Sequence, residues 1–195
     1  MRQCIDGRLR TRPPGLSYKR MTMNPRSLTW LFAFGLAAAE ISRPEVPENL
    51  KAPDTEVVLL KALGKGKQIY ACKPKADNQT QFEWALARPQ ADLLNGQGAK
   101  IGKHYEGPAW EATDGSKVTG QVQQRANAAQ PDAVPWLLLK AKTNEGTGTF
   151  GRVTYIQRVN TAGGAAPAGG CDQRHAGAEA SVDYQADYYF YGPRP

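Results

Sequence analysis

The residues best able to do chemistry lie together in Gly102–Gly120, GKHYEGPAWEATDGSKVTG. This stretch holds His104, one of the two histidines of the chain, with Tyr105, Glu106, Trp110, Glu111 and Asp114. Two carboxylates flanking a glycosidic bond can act as general acid and as base or nucleophile, which is the chemistry open to Glu106 and Glu111. Tyr105 and Trp110 can stack on a sugar or an aromatic ligand. The plainer reading is a hairpin whose tryptophan packs in a core while its charges face water. His104, Tyr105, Trp110 and Glu111 form the candidate ligand-binding set. A hydrolase would draw on Glu106, Glu111 or Asp114 with His104. Convergence of these side chains on one concave pocket would support a site. A buried Trp110 with diverging acids would favour a scaffold without a pocket.

Other motifs carry less. Cys171 and His175 are four apart and with Cys72 suggest a metal site, but zinc needs further ligands that only His104 and scattered acids offer. Pairing of Cys72 with Cys171 as a disulfide is the stronger reading, and it leaves His175 as a surface loop residue. No metal and no cofactor is expected. Gly146–Val153, GTGTFGRV, matches the glycine-rich loop of protein kinases by letter, yet only 42 residues follow it, none of them lysine. It reads as a glycine-rich turn. No serine sits in a G-x-S-x-G turn, and Asn78-Gln79-Thr80 is a formal glycosylation acceptor. The tyrosines Tyr184, Tyr188, Tyr189 and Tyr191 can line a groove or pack a strand.

The chain of 195 residues has a formal charge of +7, which invites a nucleic-acid partner. That charge is unevenly placed. Leu28–Ala39 is an uncharged apolar run of 12 residues, preceded by Arg26 and ending in Ala37-Ala38-Ala39. Basic, then apolar, then small is the order of a secretory signal, and the run is too short for a membrane anchor. The basic stretch upstream is longer than an ordinary signal needs, so Met21 or Met23 is a better start than Met1. Residues 1–39 hold seven of the 25 Lys and Arg and one of the 18 Asp and Glu, so the remainder carries +1. A nucleic-acid partner thereby loses its warrant. Cys4 falls in the same segment, leaving Cys72 and Cys171 as an even pair in an exported, oxidising context. The expectation is a secreted, periplasmic or extracellular, monomeric protein.

The remaining residues must position any site. Residues 40–54, with Pro44, Pro47 and Pro53, read as an extended lead-in, and residues 55–195 as one domain. Strands are expected at Thr55–Leu63, Gln68–Lys73 after a turn at Gly64-Lys65-Gly66, Gln81–Ala87 ending before Pro89, Trp110–Ala112, Lys117–Gln123, Val134–Ala141, Arg152–Asn160 and Val182–Tyr191. Ala85–Leu94 has room for one short helical turn. Asp114-Gly115 marks a hairpin turn. Along the last strand Val182, Tyr184, Ala186, Tyr188 and Phe190 share one face. No long 3.6-residue period follows residue 40, so the spacing predicts an all-β antiparallel sandwich or barrel.

Several strings together resemble a known family: GKQIYACK (66–73), GKHYEGPAWEATDGSKVTG (102–120), VPWLLLKA (134–141), GTFGRVTYIQRVNTAGGAAP (148–167) with Cys171, and ADYYFY (186–191). They resemble the uncharacterised family catalogued as domain of unknown function 3455, over about residues 46–191. The resemblance implies one secreted bacterial or fungal domain behind a signal peptide, with no established activity, substrate or catalytic residue. A dehydrogenase label attached to fungal relatives finds no strand–G-x-G-x-x-G–helix unit here. The functional expectation is a non-catalytic β-domain that binds a small molecule, a glycan or an envelope component. The alternatives are an extracellular hydrolase and a stress or envelope scaffold.

Overall fold

The structure, a computed structural model, describes residues 40–194, so the expected export segment, Cys4 and the alternative starts lie outside the described residues. Over the described residues the chain forms β1 (Glu56–Pro74), β2 (Phe82–Leu94), β3 (Lys100–Tyr105), β4 (Ala109–Ala112), β5 (Lys117–Ala126), β6 (Trp136–Glu145), β7 (Tyr155–Gly163) and β8 (Glu179–Pro193). Each strand pairs antiparallel with the next, and β8 returns to pair with β1. Of the two all-β architectures expected, the chain adopts the closed up-and-down barrel, which has no free sheet edge.

The pleat sorts the strands. Tyr184, Ala186, Tyr188 and Phe190 of β8 point into the barrel, as their alternation predicts. Val118 of β5 joins them with Leu93, Trp110, Leu139 and Ile156. Outward positions such as Lys61, Lys65 and Lys67 of β1 are exposed cations, where a membrane barrel would present an apolar band. Among the described residues no helix is long and apolar enough to cross a membrane.

Three local expectations change. The glycines of Gly64-Lys65-Gly66 make no turn, and β1 runs straight through them. A Cβ at Gly64 would lie 2.5 Å from Cε2 of Tyr188, and one at Gly66 2.1 Å from the carbonyl oxygen of Gln90. These glycines answer to close packing rather than chain reversal. Pro89 does not end β2, and Ala85–Leu94 is strand rather than helix. The register of β1 on β2 shifts between Ile69 and Tyr70, next to the pairing of Gln68 with Pro89. A bulge is where a sheet tolerates proline. β3 was not foreseen, because its Lys-Ile-Gly-Lys-His-Tyr sequence places one large apolar residue among polar ones.

The lead-in is extended apart from one 3-10 turn at Glu48–Leu50. It straps the outside of the barrel. Leu50 and Ala52 bury against Val58, Leu138, Val159, Tyr189 and Tyr191. Gln157 donates to the carbonyl of Leu50 and accepts from the Tyr191 hydroxyl. Arg43 donates to the carbonyls of Ala52 at 2.9 Å and Pro53 at 2.8 Å. The outward tyrosines of β8 are thus covered, not displayed.

The two ends of the barrel differ. At one end the Gly146–Val153 turn folds inward and seats Phe150 against Phe190, with ring centroids 4.6 Å apart. Asn144 Nδ2 donates to the carbonyls of Phe150 at 2.7 Å and Val153 at 3.0 Å. Asp114 accepts from the amides of Ser116 at 2.9 Å and Thr149 at 2.8 Å and from both hydroxyls. Near the other end, the loop between β7 and β8 is tied back by the Cys72–Cys171 disulfide, whose Cα atoms are 5.4 Å apart. Trp84 Nε1 donates to Gly169 O in the same loop at 2.8 Å.

The bridge joins residues 99 apart in sequence. Replacing both cysteines by alanine is expected to lower stability by about 2–5 kcal/mol, read by urea denaturation, with the loop around residue 171 the first segment to gain hydrogen exchange.

Candidate functional site

The pleat divides the residues that the sequence places together. On β3 and β4 His104 pairs with Trp110, and Lys103 with Glu111. Opposed residues share a face, so His104 and Trp110 point into the barrel while Lys103, Tyr105 and Glu111 lie on its outside. Trp110 is 1% exposed. Its ring stacks on His104 at 4.5 Å and meets Tyr188 and Phe190 edge-on. No ring face is left for a ligand. Outside, the Tyr105 hydroxyl donates to Glu111 at 2.8 Å and Lys103 pairs with Glu111 at 3.1 Å. These bonds hold the Glu111 carboxyl below the usual range, while desolvation and Glu111 push Tyr105 up to about 12.

The other acids part company as well. Asp114 clamps the closed end, and its hydrogen bonds from Ser116 and Thr149 hold its carboxyl far below the ordinary aspartate range. Glu106 stands at the rim of the opposite end. His175 pairs with Asp172 at 2.8 Å in the exposed loop. Among the described residues no group of three or more His, Cys, Asp or Glu side chains is placed to hold a metal ion.

What the structure does bring together surrounds His104. At the open end a cavity of about 500 Å³ enters the barrel, within the range of small-molecule sites. Its polar lining comprises Gln68, Tyr70, His104, Glu106, Arg125 and Arg158. Its apolar lining includes Leu86, Pro89, Val122, Val134 and Leu137. Leu86 is 53% exposed at the mouth, one of the two large apolar residues so exposed among the described residues.

His104 Nδ1 lies 2.9 Å from the carbonyl of Ala109. A carbonyl only accepts, so Nδ1 carries the proton and Nε2 is left as an acceptor. Burial pushes the imidazole pKa down to about 3, with the Arg158 charge acting in the same direction. The ring is therefore neutral. The Tyr70 hydroxyl donates to Gly164 O at 2.5 Å. Burial raises the Tyr184 and Tyr188 hydroxyls well above the usual tyrosine range, so both are neutral. Arg158 gives Nε and Nη2 to the carbonyl of Pro135 at 3.2 and 2.8 Å. Gln68 is 0% exposed, and neither end of its amide has a hydrogen-bond partner among the described residues.

Gln68, Tyr70 and Arg158 were not among the candidates. One signal for Arg158 was present: Ile156 is an inward residue, and a period of two puts Arg158 on the same face. Gln68 follows the β1 glycines, which read as a turn in the sequence but in the structure belong with it to one continuous inward row.

Residues 53–192 match the family model described as "Protein of unknown function (DUF3455)". The chain belongs to this family. No curated protein and no solved structure matches it. The DUF3455 match begins inside the lead-in and takes in the whole barrel up to Gly192, hence every residue of the cavity.

A histidine that stays neutral down to about pH 3 makes the DUF3455 domain acid-sensitive. The unfolded chain takes up a proton near pH 6.5 that the fold refuses, so this share of stability is full above that pH and is lost as pH falls. His104→Gln is expected to remove about 2 kcal/mol of the decline between pH 7 and pH 5, measured by urea denaturation at each pH.

Proposed function

We propose that the DUF3455 domain is a non-catalytic binding protein that takes one small molecule into the open end of its barrel. The observation that carries this reading is Gln68, an amide wholly withdrawn from water with both ends unpaired, lining a cavity of about 500 Å³. A buried polar group without a partner costs about 1–3 kcal/mol, and a ligand entering the cavity that Gln68 lines could supply the partner it lacks. Eight strands give a barrel interior that side chains can just fill or that holds one small ligand. Here Phe150, Phe190 and Trp110 fill one half, and the other half is open, with polar groups set in a largely apolar lining.

A small molecule fits better than a glycan. Carbohydrate sites usually offer an open aromatic face, and Trp110 and Tyr188, at 1% and 0% exposed, are packed on each other. The candidate set narrows accordingly: His104 remains at the floor, while Tyr105, Trp110 and Glu111 hold the barrel wall. Export of the domain behind residues 1–39 belongs to the same reading, supported by the disulfide, which suits an oxidising compartment.

The test uses the neutral dye N-phenyl-1-naphthylamine, whose emission rises in an apolar cavity. Wild-type protein is expected to bind one dye per chain. Val122→Trp, which fills the cavity from β5, is expected to weaken binding at least tenfold while the amide nuclear magnetic resonance shifts of Ser116 and Phe150 at the sealed end stay unchanged. Equal binding by both proteins, or none by wild type, would overturn the reading.

A further inference from the structure

The charge inside the cavity says what kind of molecule it suits. Arg158 sits on the inward face of β7 and is 9% exposed. Among the described residues every ion pair lies elsewhere, and none includes Arg158. Its guanidinium places a formal positive charge at the cavity wall. Burying a charge without a counter-charge is costly, and one backbone carbonyl, that of Pro135, offsets only part of it.

The neighbours do not supply the missing charge. His104 is neutral and its Nδ1 proton is committed to Ala109. The Tyr70 proton is committed to Gly164. Tyr184 and Tyr188 pair hydroxyl to hydroxyl at 3.3 Å, and the neutral Tyr188 hydroxyl also meets the Arg158 side chain without supplying a charge. Glu106, the one carboxylate in the cavity lining among the described residues, is solvent-exposed at the rim, where Arg125 also stands. Arg158 keeps N–H donors in hand, and the Gln68 amide adds an unpaired N–H donor group beside an unpaired carbonyl. Two sets of donors around one cavity, one of them charged, match the planar fork of a carboxylate. The remaining lining, Val122, Leu137, Pro89 and Leu86, is apolar.

We propose that the cavity binds a small carboxylate with an apolar body, its head on Arg158 and Gln68 and its body against Val122 and Leu137. This rests on the open-end cavity being a binding site, and adds the charge and shape of what enters it. A carboxylate accepts from Arg158 and from Gln68 Nε2, whereas a neutral guest could pair with both ends of the Gln68 amide but would leave Arg158 uncompensated, and a cation would be repelled.

The test compares two molecules that differ only in the head group, naphthalene-2-carboxylate and naphthalene-2-carboxamide, by calorimetric titration of the oxidised protein at pH 7. The carboxylate is expected to bind wild type at least tenfold more tightly. Arg158→Gln is expected to bring the two affinities to within about twofold, with folding checked by circular dichroism. Should that variant fail to fold, the wild-type ratio and its decrease with added salt still decide the matter. Equal affinities in wild type, a preference for the carboxamide, or a tenfold preference that survives in folded Arg158→Gln would each overturn the proposal. The neutral dye reports the cavity separately, so dye binding without a carboxylate preference removes the anion and leaves the site.

Discussion

Everything in this protein depends on the ladder between β1 and β8, which runs from the pairing of Glu56 with Pro193 to that of Ala71 with Glu179. It closes the sheet, and closure creates an inside. Inward positions then compete for a fixed cross-section, since strand number sets barrel width. Tyr188 takes its space at the expense of position 64, which must be glycine. Trp110, Phe150 and Phe190 meet in the same half. Because the large aromatics concentrate there, the other half is left to Gln68, His104 and Arg158, and the cavity is the space they do not fill.

The outside supports this division. The lead-in strap buries Leu50 against β6, β7 and β8, and Gln157 links its backbone to Tyr191. Asp114 draws the Gly146–Val153 turn onto the closed end. The disulfide and the Trp84 bond to Gly169 draw the β7–β8 loop back near the open end. One end is thus sealed by an inserted side chain, whereas at the other the long loop is held without filling the entrance. A carboxylate that looked available for catalysis, Asp114, is fully employed in this construction. Glu111 is likewise employed, on the outer face with Tyr105 and Lys103.

Much of the fold was legible in the sequence because alternation is a local signal. Tyr184, Ala186, Tyr188 and Phe190 announce their shared face, Asp114-Gly115 announces its hairpin, and Cys72 and Cys171 announce each other. Less legible was anything that depends on a distant partner. Gly64 and Gly66 look like a turn until the Tyr188 ring and the Gln90 carbonyl are known to lie against them. Pro89 looks like an end until the bulge near Ile69 is seen. The candidate site suffered in the same way. Density of polar and aromatic letters in Gly102–Gly120 marked the right hairpin, yet the pleat sends alternate letters to opposite sides. His104 was reached from sequence, whereas Gln68 and Arg158 come from strands far along the chain and meet only through closure.

The cavity floor ties the fold to its chemistry: a neutral imidazole, an unpaired amide and a guanidinium without a carboxylate, enclosed by a barrel sealed at its far end. The most direct measurement of that arrangement is a nitrogen-15 nuclear magnetic resonance titration with naphthalene-2-carboxylate, following the Gln68 side-chain amide, the Arg158 Nε–H and the His104 Nδ1–H. These three signals are expected to shift together and saturate at one ligand per chain, while the Ser116 and Phe150 amides at the sealed end stay in place. Shifts confined to the outer face or the sealed end, with Gln68 and Arg158 unmoved, would contradict it.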